Sequence, residues 1–296
     1  RTIADAAVAT RNGLPERILL AGLAEPQLDA RVLDWVAGHS DRAAVIDALI
    51  QHPRVADATI ALRASKATAR EIDLIATNEA RLLRAPDIIA AMYLNPHARM
   101  GTVDRAVELA VRNGVRVPGL AAWDEIAKSL EGARPPASPD ADAAFAATLQ
   151  ALAQTDDAAL TQGSADDAIV TGDGDPGEAA ASPAEKPAEK TLQQMSMAEK
   201  IRTATLGNGF VRSQLIRDPL KMVAMAAIKA PGVTDIEATR YAGNSSLNEE
   251  VIRYISNQGK WTKQYGVKVN LVMNPKTPMA EAMRLMPHLR EKDLRN

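Results

Sequence analysis

Two stretches of this chain follow the same pattern. When Pro53 is set against Pro231 and one extra residue is allowed in the later stretch, residues 49–115 align with residues 227–294. The shared landmarks are Val55 with Val233, Asp57 with Asp235, Glu71 with Glu250, Asn78 with Asn257, Asn95-Pro96 with Asn274-Pro275, and Arg105 with Arg284. An internal repeat constrains the fold more than any single motif, because each copy must form the same unit. We therefore expect two related modules.

Short helical patterns punctuated by proline and glycine fill both stretches. Examples are residues 16–23 after Pro15, residues 100–112, residues 120–130 and residues 197–204. Apolar residues make up 46% of the chain and aromatic residues only 3%, and the alternation typical of strands is nearly absent. Short helices joined by short turns pack on their sequence neighbours. We expect an all-α fold of two short-helix α-solenoid (HEAT-like) modules.

Charge and composition predict three parts of the chain. An N-terminal helical-repeat module covers residues 1–132, an acidic Pro/Ala/Asp-rich linker covers 133–195, and a basic helical-repeat module covers 196–296. Residues 135–192 carry 2 basic and 11 acidic side chains, whereas residues 193–296 carry 16 basic and 9 acidic ones. The linker has too little apolar content and too much like charge to fold alone, so we expect it to be disordered.

Residues 142–154 form a short segment with a helical pattern inside the predicted linker. Phe145, Leu149 and Leu152 fall at i, i+4 and i+7, after acidic residues that could cap a helix. This spacing is typical of a helix that binds in an apolar groove. The alternative is a transient alanine-rich helix that binds nothing.

Arg253, Lys260, Lys263 and Lys268 form the candidate partner-binding set in the basic module. Lys260 and Lys263 align with Arg81 and Arg84, so a basic stripe that binds a polyanion such as nucleic acid is one interpretation. A solvated surface is the second, and screening by the acidic linker is the third. Tyr254 and Trp261 align with Ile75 and Leu82, which predicts core positions for them. The aligned asparagines are expected to end or cap helices.

The sequence lacks the residues that several kinds of functional site require. There is no cysteine, which excludes disulfides, thiolate metal sites and a cysteine nucleophile and fits a cytoplasmic location. No apolar run reaches membrane-spanning length, and no signal peptide opens the chain. The four histidines lack zinc-helix spacing, and no phosphate-binding or nucleophile motif appears. We expect no cofactor, no metal, no membrane partner and no catalytic residue; an enzyme assembled from distant residues is the remote alternative.

The turn Asn274-Pro275-Lys276-Thr277-Pro278, followed by an Ala/Leu/Met helix, resembles the N-P-x-T-P turn of variant leucine-rich repeats. These belong to the HEAT-like bacterial α-solenoid proteins, most of them of uncharacterised function. The earlier copy keeps Asn95-Pro96 and lacks Thr-Pro. The resemblance implies stacked short helices, about two per repeat, that bind other macromolecules. The iron–sulfur cluster of some variant leucine-rich repeat proteins does not transfer, because no cysteine is present.

These observations predict a non-enzymatic cytoplasmic scaffold or adaptor that binds protein partners through its helical repeats. The alternative is polyanion binding by the basic module, modulated by the linker and steeply dependent on salt. The chain begins at Arg1, so we expect it to be an excerpt. Because terminal repeats need a polar cap, we also expect the protein to continue past residue 296 or its last helices to be covered by a partner or a second copy. The apolar residues concerned are Leu285, Met286, Leu289 and Leu294.

Overall fold

The computed structural model describes residues 3–25, 27–130, 139–154 and 192–294. Within these ranges every regular element is an α-helix or a 3-10 helix, and none is a strand. The expected all-α class is therefore confirmed for this part of the chain. Most of the predicted linker at 133–195 lies outside the described residues, apart from 139–154 and 192–195.

Contacts divide the described residues into two compact units. The first unit contains residues 3–25, 27–120 and 139–142, and the second contains 121–130, 143–154 and 192–294. The first unit ends earlier than the module boundary that we placed at residue 132. Part of the predicted linker, residues 143–154, belongs to the second unit.

Nine helices of the first unit precede residue 120. They are α1 (Ile3–Gly13), α2 (Glu16–Leu23), α3 (Ala30–His39), α4 (Ala43–Gln51), α5 (Asp57–Ala64), α6 (Ala69–Ala76), α7 (Glu79–Arg84), α8 (Asp87–Tyr93) and α9 (Met100–Arg112). Most of them pack in two rows. In one row α2 packs on α4, α4 on α6 and α6 on α9; in the other α3 packs on α5 and α5 on α8. Apolar side chains from both rows form the core, among them Leu33, Val45, Ile60, Ile72, Ile88 and Val103.

The remaining helices lie wholly or mainly in the second unit. They are α10 (Trp123–Ser129), α11 (Pro139–Leu152), α12 (Met197–Leu206), α13 (Gly209–Leu215), α14 (Lys221–Ile228), α15 (Asp235–Gly243), α16 (Glu249–Asn257), α17 (Tyr265–Met273) and α18 (Met279–Leu285), with 3-10 helices at Trp261–Lys263, Met286–His288 and Glu291–Leu294. Here α12 packs on α14 and α14 on α16, while α15 packs on both α16 and α17. The contacts of α4 with α6 and of α5 with α8 thus have counterparts in those of α14 with α16 and of α15 with α17.

Helix α10 belongs to the second unit, although the sequence placed it at the end of the first module. It packs on α12 and α14, with Trp123 and Ile126 buried. The Glu125 carboxylate also accepts hydrogen bonds of 2.8 and 3.0 Å from Lys229 Nζ. Proximity along the chain suggested other neighbours for this helix, but its apolar face is buried by α12 and α14, which follow much later in the sequence.

Local sequence signals explain many helix starts. Thr68 with Glu71, Ser196 with Glu199, and Thr234 with Glu237 form capping boxes at α6, α12 and α15. Helix α9 is capped differently, since its N-cap residue Arg99 makes no capping bond with its side chain. The Asp142 carboxylate supplies the acceptor instead, at 2.8 Å from Met100 N and 3.4 Å from Gly101 N.

Asn95 and Asn274 make corresponding hydrogen bonds in the two units. Asn95 Nδ2 donates to the carbonyl oxygens of Ala64 and Ala67, both at 2.8 Å. Asn274 Nδ2 donates to those of Ala242 at 2.8 Å and Asn244 at 3.2 Å. Each Oδ1 accepts from the backbone N–H two residues later, at 2.8 and 2.9 Å. Both side chains are buried, so each closes its own turn and also satisfies carbonyls at the end of an earlier helix.

We predict that Asn95→Ala lowers the free energy of unfolding by about 2–3 kcal/mol, because it leaves buried carbonyls without a donor. Asn95→Asp should destabilise as well, since it retains the acceptor and loses the donors. Urea denaturation of the full chain measures both. Asn113→Ala is the matched control. It removes one part-buried bond from an exposed residue to the Leu109 carbonyl and should cost less than about 1 kcal/mol. Equal costs at the two positions would contradict the role assigned to Asn95.

Candidate interaction surfaces

Two of the four candidate cations are paired with carboxylates. Arg253 on α16 lies 2.5 Å from Glu249 and 3.5 Å from Glu250. Lys260 lies 3.4 Å from Asp235, although its side chain remains 71% exposed. Lys263 is exposed and Lys268 is half-buried, and no carboxylate of the described residues lies within 4 Å of either. The positive charge of this surface is therefore smaller than the residue count implies.

In the first unit, the aligned cations are Arg81 and Arg84. They form contacts within the unit rather than the basic stripe that the alignment suggested. Arg81 is buried, and its guanidinium donates to the carbonyl oxygens of Ile50 and His52, both at 2.9 Å. Arg81 also lies 3.3 Å from Asp57, and Arg84 lies 2.7 Å from it. The hydrogen bond from Arg84 is the main cause that lowers the pKa of Asp57. Asp57 and Asp235 thus each pair with a cation from the aligned stretch, which accounts for the aligned positive charges of Arg81 and Lys260 by ion pairing within each unit.

The aromatic side chains of the basic module are mostly enclosed. Trp261 and Tyr241 are buried, whereas Tyr254 is half-buried, which is less than its alignment with Ile75 predicted. Tyr254 meets Trp261 edge-on, with ring centroids 6.1 Å apart, and Lys229 Nζ lies 5.7 Å from its centroid. Arg290 lies 4.5 Å from the ring centroid of Tyr265. These contacts leave little free ring surface for stacking on bases.

A buried ion pair in the second unit was not predicted from the sequence. Arg212 Nε and Nη2 each donate to the Glu237 carboxylate at 2.9 Å, and the Glu237 side chain is fully buried. Arg212 Nη1 also donates to the Gly207 carbonyl at 2.7 Å. The capping-box pattern at Thr234 identifies Glu237 as a helix-starting residue, but no local signal points to Arg212 as its partner.

Gly207 and Gly232 lie close to this ion pair. A Cβ atom on Gly207 would lie 2.7 Å from the Thr203 carbonyl oxygen and 2.6 Å from a Val211 methyl group. A Cβ atom on Gly232 would lie 3.0 Å from Arg212 Nη1. The missing side chain of Gly232 therefore leaves space for the Arg212 guanidinium, whereas that of Gly207 allows close packing on Thr203 and Val211.

Each unit contains a cavity lined by polar and apolar side chains. The second unit has a cavity of about 250 Å³ beside Lys200 and Asp218, which pair at 2.7 Å. The first unit has one of about 200 Å³ beside Asp73 and Arg105, and Asp73 pairs there with Arg99 at 2.5 Å. Asp218 in the first of these cavities and Asp73 in the second are thus held in ion pairs. Within the described residues no group of three His, Asp or Glu side chains could hold a metal ion, and no helix is long and apolar enough to cross a membrane.

Helix α11 places the predicted groove-binding residues against the second unit. Phe145 and Leu152 are 5% and 2% exposed, and Leu149 is half-buried. The Arg202 guanidinium lies 5.4 Å from the centroid of the Phe145 ring. Asn208 Nδ2 donates to the Leu152 carbonyl oxygen at 3.3 Å. Phe145 and Leu152 are therefore buried against their own chain.

An exposed methionine face lies on the last described α-helix. Met279 and Met283, at i and i+4 on α18, are 77% and 58% exposed. Met286 follows at i+7 and is 37% exposed, and Met273 at the end of α17 is 43% exposed. Of the residues for which the sequence predicted a cover, Leu285 is buried within the unit and Leu289 is half-buried, whereas the side chain of Leu294 lies outside the description. The sequence reasoning identified Met286 and missed the stripe before it.

Comparison of the chain with protein-family models, curated proteins and solved structures gave no match in any of the three. Function is therefore inferred from the contacts, burial and charge of the chain itself.

We predict that Glu237→Gln lowers the free energy of unfolding by about 3–5 kcal/mol, because it leaves the Arg212 guanidinium buried without a counter-charge. Urea denaturation measures the loss. Glu250→Gln is the matched control at an exposed pair with Lys221 and should cost less than about 1 kcal/mol. If Glu237→Gln lowers the free energy of unfolding no more than Glu250→Gln does, the buried pair stabilises the fold no more than the exposed one.

A second prediction concerns alkaline pH. Burial, followed by the nearby Glu237 charge, raises the pKa of the Tyr241 hydroxyl above its ordinary value. The unfolded chain ionises this group near pH 10. Above that pH the unfolded state binds fewer protons than the folded state, so stability falls as pH rises.

Tyr241→Phe removes this contribution. The variant should therefore lose less stability than the wild type between about pH 9 and 11, by on the order of 1 kcal/mol. Denaturation at each pH measures the slope. Tyr265→Phe, at a partly exposed position, should change the slope less. Identical slopes for the wild type and Tyr241→Phe would contradict the effect of burial.

Proposed function

We propose that this protein is a non-enzymatic interaction scaffold whose two units are related HEAT-like helical-repeat modules. The two-row packing of short helices supports this architecture, because α-solenoids stack helices on their sequence neighbours. The corresponding bonds of Asn95 and Asn274 support an internal duplication, since they join aligned positions. Proteins of the resembled α-solenoid group mostly bind other macromolecules, which is the function that we propose here.

The exposed methionine face is the observation that carries the proposal. Single exposed apolar residues are common, but Met279 and Met283 lie one turn apart on the same helix face, with Met286 next along it. Methionine side chains are flexible and polarisable, and they suit surfaces that bind apolar partners. We infer that this face binds an apolar surface of a protein partner.

Capture by the tagged full chain tests this function. Met279→Ser with Met283→Ser should reduce the recovery of a specific partner at least about fivefold, as for interface anchors worth more than about 1 kcal/mol. Leu62→Ser is the control, because it replaces an exposed apolar residue (64% exposed) in the first unit. Size-exclusion chromatography of the same variants detects self-association through the methionine face. No difference among the three proteins in either measurement would contradict the proposal.

Polyanion binding is the second candidate, and it is favoured by Lys263 and Lys268, which have no carboxylate within 4 Å among the described residues. It predicts an affinity for labelled duplex or single-stranded nucleic acid that falls steeply with salt. The scaffold proposal predicts weak binding with little difference between the wild type and Lys263→Gln with Lys268→Gln. Fluorescence anisotropy at three salt concentrations distinguishes them. Micromolar binding that the double variant loses would favour the polyanion function over the scaffold.

A further inference from the structure

Helix α12 is buried on nearly every side, and α11 covers part of it. The buried residues Ile201, Arg202, Thr203, Ala204 and Thr205 are consecutive, so they point around the full circumference of the helix. Helices α10, α13 and α14 pack on α12. Phe145 of α11 lies over Arg202, whose side chain has no exposed surface. We call the surface of Arg202 and Asn208 that contacts α11 the α11 groove.

Asn208 contacts both helix α13 and the end of helix α11. Its Oδ1 accepts from Val211 N at 3.0 Å and so caps α13. Its Nδ2 donates to the Leu152 carbonyl, one of the last carbonyls of α11, which have no partner inside the helix. The groove thus contacts the bound helix in two ways. Arg202 lies against an aromatic ring of that helix, and Asn208 donates to a carbonyl oxygen at its end.

Few side chains anchor helix α11. Among residues 142–152, whose burial is described, Phe145 and Leu152 are the buried side chains, and the Asp142 carboxylate accepts from Met100 N and Gly101 N. By contrast, all six residues from Val223 to Ile228 of α14 are buried. An alanine-rich helix of 14 residues is only marginally stable by itself in water. The sequence before it is rich in proline and alanine, and the sequence after it is rich in alanine and aspartate. These properties are typical of a helical ligand tethered to its own receptor.

We propose that the α11 groove is a binding site for amphipathic helices, in which α11 is the resident intramolecular ligand. The partner is a helix of another protein with an aromatic residue at i and leucines at i+4 and i+7. It carries little positive charge, because Arg202 lies under the aromatic ring and residues 139–154 contain no Lys or Arg. This inference rests on the proposed scaffold function, and it adds a class of partner and competition from α11.

A fluorescent peptide with the sequence of residues 139–154 tests the groove in the full chain. Phe145→Ala with Leu152→Ala should bind the peptide at least tenfold more tightly than the wild type, because the intramolecular competitor is weakened. Gln150→Ala, on the exposed side of α11, should behave as the wild type does. Adding Asn208→Ala to the double variant should weaken binding about fivefold, the effect of one hydrogen bond. A folded double variant that binds the peptide no better than the wild type overturns the proposal.

Hydrogen exchange in the wild type tests the same competition without an altered chain. Saturating unlabelled peptide should speed amide exchange in residues 145–152 while α12 stays protected. Unchanged exchange in α11 would show that it is a fixed part of the unit. A wild-type dimer that the double variant loses would mean that a second copy supplies the helix, which also overturns the proposal. Neither result affects capture through the methionine face, so failure here is distinguishable from failure of the scaffold function.

Discussion

Short helices leave many backbone groups to be satisfied from outside, and the described fold depends on how that is done. The α-helices contain from six to fourteen residues, yet each end leaves up to four groups without an intrahelical partner. Asn95 and Asn274 reach the ends of earlier helices, and Arg81 holds the carbonyls where α4 ends. A buried carbonyl without a donor costs as much as a lost hydrogen bond. Buried polar side chains therefore help to position the helices, together with the apolar contacts.

Charge in this protein is largely used within the units. Residues 193–296 carry more basic than acidic side chains, but Arg212 is buried against Glu237, and Lys200 lies beside Asp218. Arg253 and Lys260 also have carboxylates within reach at the surface. An electrostatic function therefore depends on fewer cations than the sequence contains. By contrast, the apolar surfaces include exposed side chains for which the described contacts show no structural role.

Two helical faces connect the fold with its proposed function. The methionines of α18 form an exposed apolar face, whereas the apolar face of α11 is already buried on α12. We propose that the first face binds a partner directly, and that a helix of another partner competes with α11 for the surface of α12 that α11 covers. Both surfaces are formed by side chains at helical spacing, which the sequence shows directly.

Local features of this protein follow from the sequence by itself. The bounds of α2 and α9 match residues 16–23 and 100–112, because the proline before α2 and the apolar periodicity of α9 act within a few turns. The spacing of Phe145, Leu149 and Leu152 likewise predicted a helix with one apolar face. Only the tertiary structure decided which side chains meet across long separations. Lys229 pairs with Glu125 over 104 residues, Arg212 pairs with Glu237, and α11 lies on α12. Capping and periodicity are properties of neighbouring residues, whereas these pairings depend on how whole helices pack.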